Sequence, residues 1–283
     1  MMVVLTLEEA YWMKKWLLAG AIFLTGGWFG TQYLFDVKPA ATQVVDTNIH
    51  EQVYQGDLLL VNEDYPVKES FIRQDIVDAN TVNQSNHYVV LYNNTFVSKH
   101  ISEPFEKLMK KANEDGVNHF VISSGFRGFK EQQKLYEQYG DGSALPAGYS
   151  EHNLGLSLDI GSSQGRMEDT IEGEWLAQNV WQFGFVMRYP EHKTHITKIK
   201  YEPWHIRYVG LPHSVIMHDN DWVLEEYVEE LKQQQTFRTT VNGTSYIIEY
   251  YDGSRFSEAL LPKDKSYTIS GDNKGGIIVA IAS

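Results

Sequence analysis

The 283-residue chain contains no cysteine. That excludes a thiol nucleophile, a thiolate metal cage and a disulfide framework. A core of this extent needs neither disulfide nor structural metal to be stable. Positive charge is scarce: 24 Lys and Arg stand against 37 Asp and Glu, a formal net charge of −13. Long-range repulsion then disfavours nucleic acid and other polyanions as partners. The S-x-x-K motif of penicillin-binding serine enzymes is missing too. G-x-S-x-G is met once, by GSSQG (161–165), and GLSLD (155–159) comes within one residue of it. Ser157 therefore reads as a packing residue on a strand. There is no internal repeat and no low-complexity tract.

What is present begins with an apolar run. Residues 16–35 carry no charge over 20 positions, close to the length of a helix that crosses a bilayer. Lys14 and Lys15 precede the run directly. The positive-inside rule then puts 1–15 in the cytoplasm and everything after the run outside. A cleaved signal peptide is the alternative, but its apolar region would be shorter and closed by a clear A-x-A site. Residues 36–56 are polar without a sustained period and read as a linker. A main domain is expected over 57–233 and a small β module or β extension over 236–283.

Within the main domain, 57–62 (DLLLVN) and 88–92 (YVVLY) read as strands or extended segments. Residues 102–114 carry Phe105, Leu108, Met109 and Ala112 at helical spacing behind a candidate Ser102 cap. A strand follows at 120–123 and a helix at 130–139. Residues 155–160 alternate like a strand, which places Asp159 near a strand end. The segment 172–183 predicts a helix with Trp175, Leu176, Val180 and Phe183 inward, followed by strands at 184–189 and 205–209. A helix near 224–232 closes the domain. Short strands then surround the turn signals Asn242-Gly243, Asp252-Gly253 and Gly271-Asp272-Asn273. Hairpin-like strands with flanking helices point to an α+β fold, with a central mainly antiparallel sheet and a cleft, not a regular βαβ array.

Two segments carry the chemistry. SEHNLGLSLD (150–159) holds His152 and Asp159, seven positions apart, and EPWH (202–205) holds Glu202 and His205. Two imidazoles and one carboxylate make a ligand set for catalytic zinc, whose fourth position stays open for water. The remaining carboxylate is then a candidate base for that water. Pro203 prevents a regular helix in EPWH, so the spacing must work in an extended or turn geometry. Of the other histidines, His50, His87, His100, His119, His213 and His218 read as surface or hydrogen-bonded core residues. His192 and His195 form a competing H-x-x-H pair, which reads as a solvated loop because no acidic base beyond Glu191 lies near it. Upstream, SSGFRGFKEQQ (123–133) sets Arg127 and Gln132 between a strand and a helix. A turn there aims a guanidinium into a cleft, where it holds an oxyanion or a carboxylate.

The ordered segments SSGFR…KEQQ, ALPAGYSEHNLGLSLDIG, FGFVMRYP and YEPWHIRYVG resemble the VanY-type zinc D,D-carboxypeptidases, relatives of the VanX dipeptidases that share a zinc core with hedgehog proteins. The likeness runs from about residue 56 to 228, and the segments 54–67 and 211–227 resemble the vancomycin-resistance branch. It implies one Zn2+ per chain on His152, Asp159 and His205. It implies Glu202 as general base and then proton donor to the leaving amine, and Arg127 as stabiliser of the tetrahedral oxyanion. Ser150 would contact the terminal D-Ala carboxylate, Gln132 would touch substrate, and Trp204 would shape the pocket wall. Lys198 departs from the pattern, standing where a small residue, typically Gly, is expected. The expected activity is removal of the last D-Ala from peptidoglycan precursors ending in D-Ala-D-Ala, insensitive to penicillin, with a role in vancomycin resistance. An L,D-carboxypeptidase or endopeptidase, a D-Ala-D-Ala dipeptidase and a non-catalytic cell-wall module are the rivals. The dipeptidase needs a cytoplasmic site, and the vestigial module should lack Glu202 or Arg127.

Overall fold

In order along the chain, strands β1 (Ile76–Asp78), β2 (Tyr88–Val90), β3 (Phe96–Ser98), β4 (Phe120–Ser124), β5 (Ser157–Ser162), β6 (Phe185–Met187) and β7 (His205–Tyr208) precede the C-terminal region. The structure, a computed structural model, describes residues 42–44, 49–140, 144–258 and 260–282. The expected membrane span at 16–35 and the linker up to residue 41 lie outside the described residues. Among the described residues no helix is long and apolar enough to cross a membrane. Thr42–Val44 and Leu260–Pro262 pair as a two-stranded ribbon, most of which belongs to a compact unit of its own.

The sheet that carries the site has the order β2-β4-β5-β7-β6. Only the β2–β4 pair is parallel; the other three pairs are antiparallel. Alternation decides which side chains face the core. Leu158 and Ile160 of β5 and Ile206 of β7 are buried against helix α1 (Lys99–Glu114), which contributes Phe105, Leu108 and Met109. The period-2 pattern then sends Asp159, His205 and Arg207 to the opposite face. Helix α2 (Phe129–Tyr139) follows β4, and α3 (Ile171–Asn179) continues as a 3-10 turn to Phe183. As the sequence predicts, Trp175, Leu176 and Val180 are buried and Phe183 packs against the same core.

Two expectations change in detail. Helix α1 begins earlier than residue 102, because Ser98 supplies the cap by accepting from His100 N. Ser102 lies inside the helix, its hydroxyl on the Ser98 carbonyl at 3.5 Å. Residues 57–62 form no strand. They run extended between two cores, with Leu59 and Val61 in one and Leu58 and Leu60 in the other. On one edge the carbonyls of Asp57 and Leu59 accept from the Arg207 guanidinium, and on the other Leu58 N donates to Ser270 Oγ and Leu60 N to the Asp272 carbonyl.

After α4 (His213–Asp219) and α5 (Leu224–Gln234), strands β8 (Thr236–Val241), β9 (Thr244–Asp252), β10 (Tyr267–Gly271) and β11 (Gly276–Ala282) form an antiparallel sheet of order β10-β11-β9-β8. The β8–β9 hairpin turns at Asn242-Gly243 with φ of 51° and 78°, the left-handed pair that a two-residue turn requires. Ile248, Tyr250, Ile278 and Ala280 of this sheet share the second core with Leu224, Val228 and Leu231 of α5. These four strands thus pack as an extension of the main body.

Candidate active site

Asp159 and His205 are direct cross-strand partners of β5 and β7, so their side chains project side by side from the face opposite the core. His152 arrives from a 3-10 turn (Glu151–Leu154) that leads into β5. Ser150 caps that turn, its Oγ accepting from His152 N at 3.3 Å. Gly155 ends it at φ +75°, where a Cβ would lie 2.7 Å from Ile76 Cδ1. The positive φ is the demand that glycine meets without strain. The turn is tied to the loop after β4: Arg127 N donates to the His152 carbonyl at 3.0 Å, and Asn153 Nδ2 donates to the Arg127 carbonyl at 2.7 Å.

The three expected ligands converge. His152 Nε2 lies 3.3 Å from Asp159 Oδ2, and His205 Nδ1 lies 3.0 Å from Asp159 Oδ1. One ligand atom from each residue falls within 4.8 Å of the other two. Ligands about 2.1 Å from a tetrahedral ion stand about 3.4 Å apart, so the spacing suits a zinc-sized cation. The far nitrogens are engaged, as a metal site requires. His152 Nδ1 meets the Gly125 carbonyl at 2.6 Å, and His205 Nε2 meets Glu151 Oε2 at 3.3 Å. Burial raises the Asp159 carboxyl, but the two imidazoles outweigh it and hold it well below the usual range. Burial lowers His205, but the Asp159 and Glu151 carboxylates push it up to about 9. His152 is lowered by its burial. The donor set fits zinc, which would displace the proton that the carboxylates otherwise favour on His205.

Glu202 is set by backbone bonds, as Pro203 demands: its N–H donates to the Tyr189 carbonyl at 3.1 Å and its carbonyl accepts from His205 N at 3.2 Å. Its Oε2 stands 3.7 Å from His205 Nδ1. Burial raises its carboxyl above the ordinary value, against the pull of His205. Arg127 approaches from the other side, Nη2 at 3.7 Å from Asp159 Oδ2. Its Nε donates to Ser124 Oγ and its Nη1 to Gln132 Oε1, at 3.2 and 2.9 Å. Gln132 is buried, and its Nε2 donates to the Leu145 carbonyl at 2.6 Å. Both ends of that amide therefore hold protein groups, which makes Gln132 a support for Arg127 beside the cleft. Ser150, Gln132, Tyr189, Lys198 and Trp204 line, with the groups above, a cleft of about 580 Å³. Trp204 is 37% exposed on its wall.

His192 stays out of this site. It pairs with the exposed Asp221 at 3.0 Å, on the surface. Lys198 holds φ +60° at the end of a short helix, the conformation for which glycine is suited. One residue escaped the sequence reading altogether. Glu151, adjacent to the first ligand, is fully buried against Arg188 and Arg207. Only its abutment on His152 hinted at a role.

A family model described as VanY, D-alanyl-D-alanine carboxypeptidase, matches residues 94–211, which include every group of the site. A D-alanyl-D-alanine carboxypeptidase of Enterococcus faecium is 49% identical over 83% of this chain and 78% of its own length. The chain belongs to the VanY family. Among solved structures, the vancomycin-resistance D,D-dipeptidase VanXYg, in complex with a D-Ala-D-Ala phosphinate analogue, superposes with a TM-score of 0.69 and 29% identity. That match covers 83% of this chain and 96% of that one. The vancomycin-resistance D,D-pentapeptidase VanY of a VanB-type cassette, in complex with Zn(II), gives 0.51 at 29% identity over 61% of this chain and 98% of that one. VanY enzymes are zinc metallopeptidases, in keeping with the His152, Asp159 and His205 cluster.

Proposed function

We propose that this VanY-family enzyme is a zinc D,D-carboxypeptidase that removes the terminal D-Ala from peptidoglycan precursors ending in D-Ala-D-Ala. The observation that carries the reading is the convergence of Asp159, His152 and His205 with Glu202 and Arg127 around one open cleft. His152, Asp159 and His205 would hold zinc, which would supply a Lewis acid for the scissile carbonyl and for water. Glu202 takes a proton from the attacking water and delivers it to the departing amine. Its raised, partly desolvated carboxyl suits a base that must also act as an acid near neutral pH. Arg127, held in aim by Ser124 and Gln132, donates to the oxyanion that develops on the former carbonyl oxygen. Ser150, on the cleft lining, receives the substrate's terminal carboxylate, and Trp204, also on the lining, packs on the peptide.

The apolar run at 16–35, preceded by Lys14 and Lys15, supports anchoring in the membrane with the catalytic body outside. On that side the enzyme meets peptidoglycan precursors, and trimming their D-Ala-D-Ala ends removes the target of vancomycin. The test is D-Ala release by the purified chain from a pentapeptide ending in D-Ala-D-Ala, with zinc, with a chelator and with penicillin. Release that needs zinc and ignores penicillin is expected. Preferential release from a tetrapeptide with a single terminal D-Ala would replace the D,D reading with an L,D one. Membrane placement is tested separately, by whether the chain stays with the membrane fraction when 16–35 is deleted; the deletion is expected to release it.

A further inference from the structure

Glu151 lies one residue before His152 and is shielded from solvent, yet its oxygens face away from the ligand cluster's centre. Oε1 accepts from Arg188 Nε at 2.8 Å and from Arg207 Nη1 at 2.7 Å. Oε2 accepts from Ser157 Oγ at 3.2 Å and meets His205 Nε2 at 3.3 Å. Arg188 in turn forks onto Glu225 of α5, with contacts of 2.8 and 2.7 Å. Arg207 Nη2 ends on the carbonyls of Asp57 and Leu59, at 2.9 and 3.0 Å. Two guanidiniums and two carboxylates balance each other in charge.

A buried ion-pair group is a poor source of stability, since apolar residues of the same volume do as well or better. This one has a second property. It presents a carboxylate oxygen to a single imidazole nitrogen of the metal cluster. We infer that Glu151 is a positioning residue for zinc: by holding Nε2–H of His205 it fixes the tautomer and ring plane that turn Nδ1 toward the metal, and Arg188, Arg207 and Glu225 hold Glu151 in place.

The two histidine ligands are therefore oriented by different means. His152 uses a backbone carbonyl, that of Gly125, whereas His205 uses a carboxylate, which raises ligand basicity more. The second consequence is reach. Through Arg188 and Arg207 the ring plane of His205 depends on α5 and on residues 57–59, neither of which touches the cleft. Ser157, on β5, gains a role as well: its hydroxyl steadies the Glu151 oxygen that faces His205.

This inference rests on His152, Asp159 and His205 being the zinc ligands, and the experiment separates the two. Zinc dissociation constants are measured by competition with a chromophoric chelator for the unmutated full chain, Glu151→Gln and Glu225→Gln, each checked for cooperative unfolding. Binding of zinc by the unmutated chain, lost in His205→Ala, supports the ligand set; its absence would remove that premise. Glu151→Gln is expected to weaken zinc binding 10- to 100-fold. Glu225→Gln, which disturbs Arg188 without touching His205, is expected to weaken it by a smaller factor. Equal weakening by both, or none by Glu151→Gln, would overturn the positioning role. Should Glu151→Gln fail to fold, imidazole 15N spectra of the unmutated zinc-loaded chain decide. They are expected to show His205 bound through Nδ1 with a strongly deshielded proton on Nε2, and His152 the reverse. Zinc on Nε2 of His205, or an Nε2 proton with the shift of a solvent-exposed imidazole, would overturn the inference.

Discussion

At the scale of single residues, chemistry and burial pull titrating groups in opposite directions, and His213 shows it away from the cleft. Its Nδ1 meets the Tyr227 hydroxyl at 2.7 Å inside the second core, where desolvation lowers the imidazole from 6.5 to about 4. The native ring thus stays neutral to about pH 4, while in the unfolded chain it titrates near 6.5. Between those values the unfolded state binds more protons, so His213 adds stability that is complete above 6.5 and is lost as pH falls toward 4. One proton corresponds to about 1.4 kcal/mol per pH unit. Denaturant melts of wild type and His213→Gln, both with chelator present, should differ in slope by up to that amount across the window. Parallel slopes would refute it. The convergence of His152, Asp159 and His205 was legible because SEHNLGLSLD and EPWH keep three candidate ligands and a candidate base in short, ordered motifs. Glu151 was not, because its meaning lies in Arg188 and Arg207, 37 and 56 positions away, and linear order gives no hint of that meeting.

At the scale of elements, the strands that hold the ligands were readable from alternation, since Leu158, Ile160 and Ile206 had to face a core and so turned Asp159 and His205 to the other side. For segment 57–62 the sequence left strand and extended segment open, and the structure decides for the second. A continuous apolar run looks the same whether its backbone pairs with a neighbouring strand or, as here, meets an arginine. The loop before EPWH carries a local misfit. Lys198 occupies the left-handed region at φ +60°, which costs a side chain about 1–2 kcal/mol, partly offset by the entropy that glycine loses on folding. Lys198→Gly is therefore expected to stabilise the chain by up to about 1 kcal/mol, visible as a higher unfolding midpoint at unchanged denaturant dependence. A lower midpoint would mean that the Lys198 Nζ bond to the His195 carbonyl, at 2.8 Å, outweighs the backbone cost.

At the scale of the whole body, the C-terminal sheet and the ligand-bearing sheet are mechanically joined. Ile278 of β11 is buried with Leu58 and Leu60, in the segment whose Asp57 and Leu59 carbonyls anchor Arg207. The turn signals of 236–283 were visible in the sequence; the shared core was not, because it is assembled from α4, α5, Leu58 and Leu60 as well. Ile278→Ala should cost about 2–5 kcal/mol in a single unfolding transition that also removes zinc binding. Separate melting of the C-terminal sheet, with the metal retained, would contradict that coupling. The central claim is that Glu202 moves protons beside a zinc held by other residues. Its most direct test is D-Ala release from a D-Ala-D-Ala pentapeptide by zinc-loaded wild type and Glu202→Gln, with bound zinc measured in both. One zinc in each protein and a loss of about 10²–10⁴-fold in kcat for the variant are expected. A variant that keeps wild-type kcat, or that loses activity only because it has lost its zinc, would contradict it.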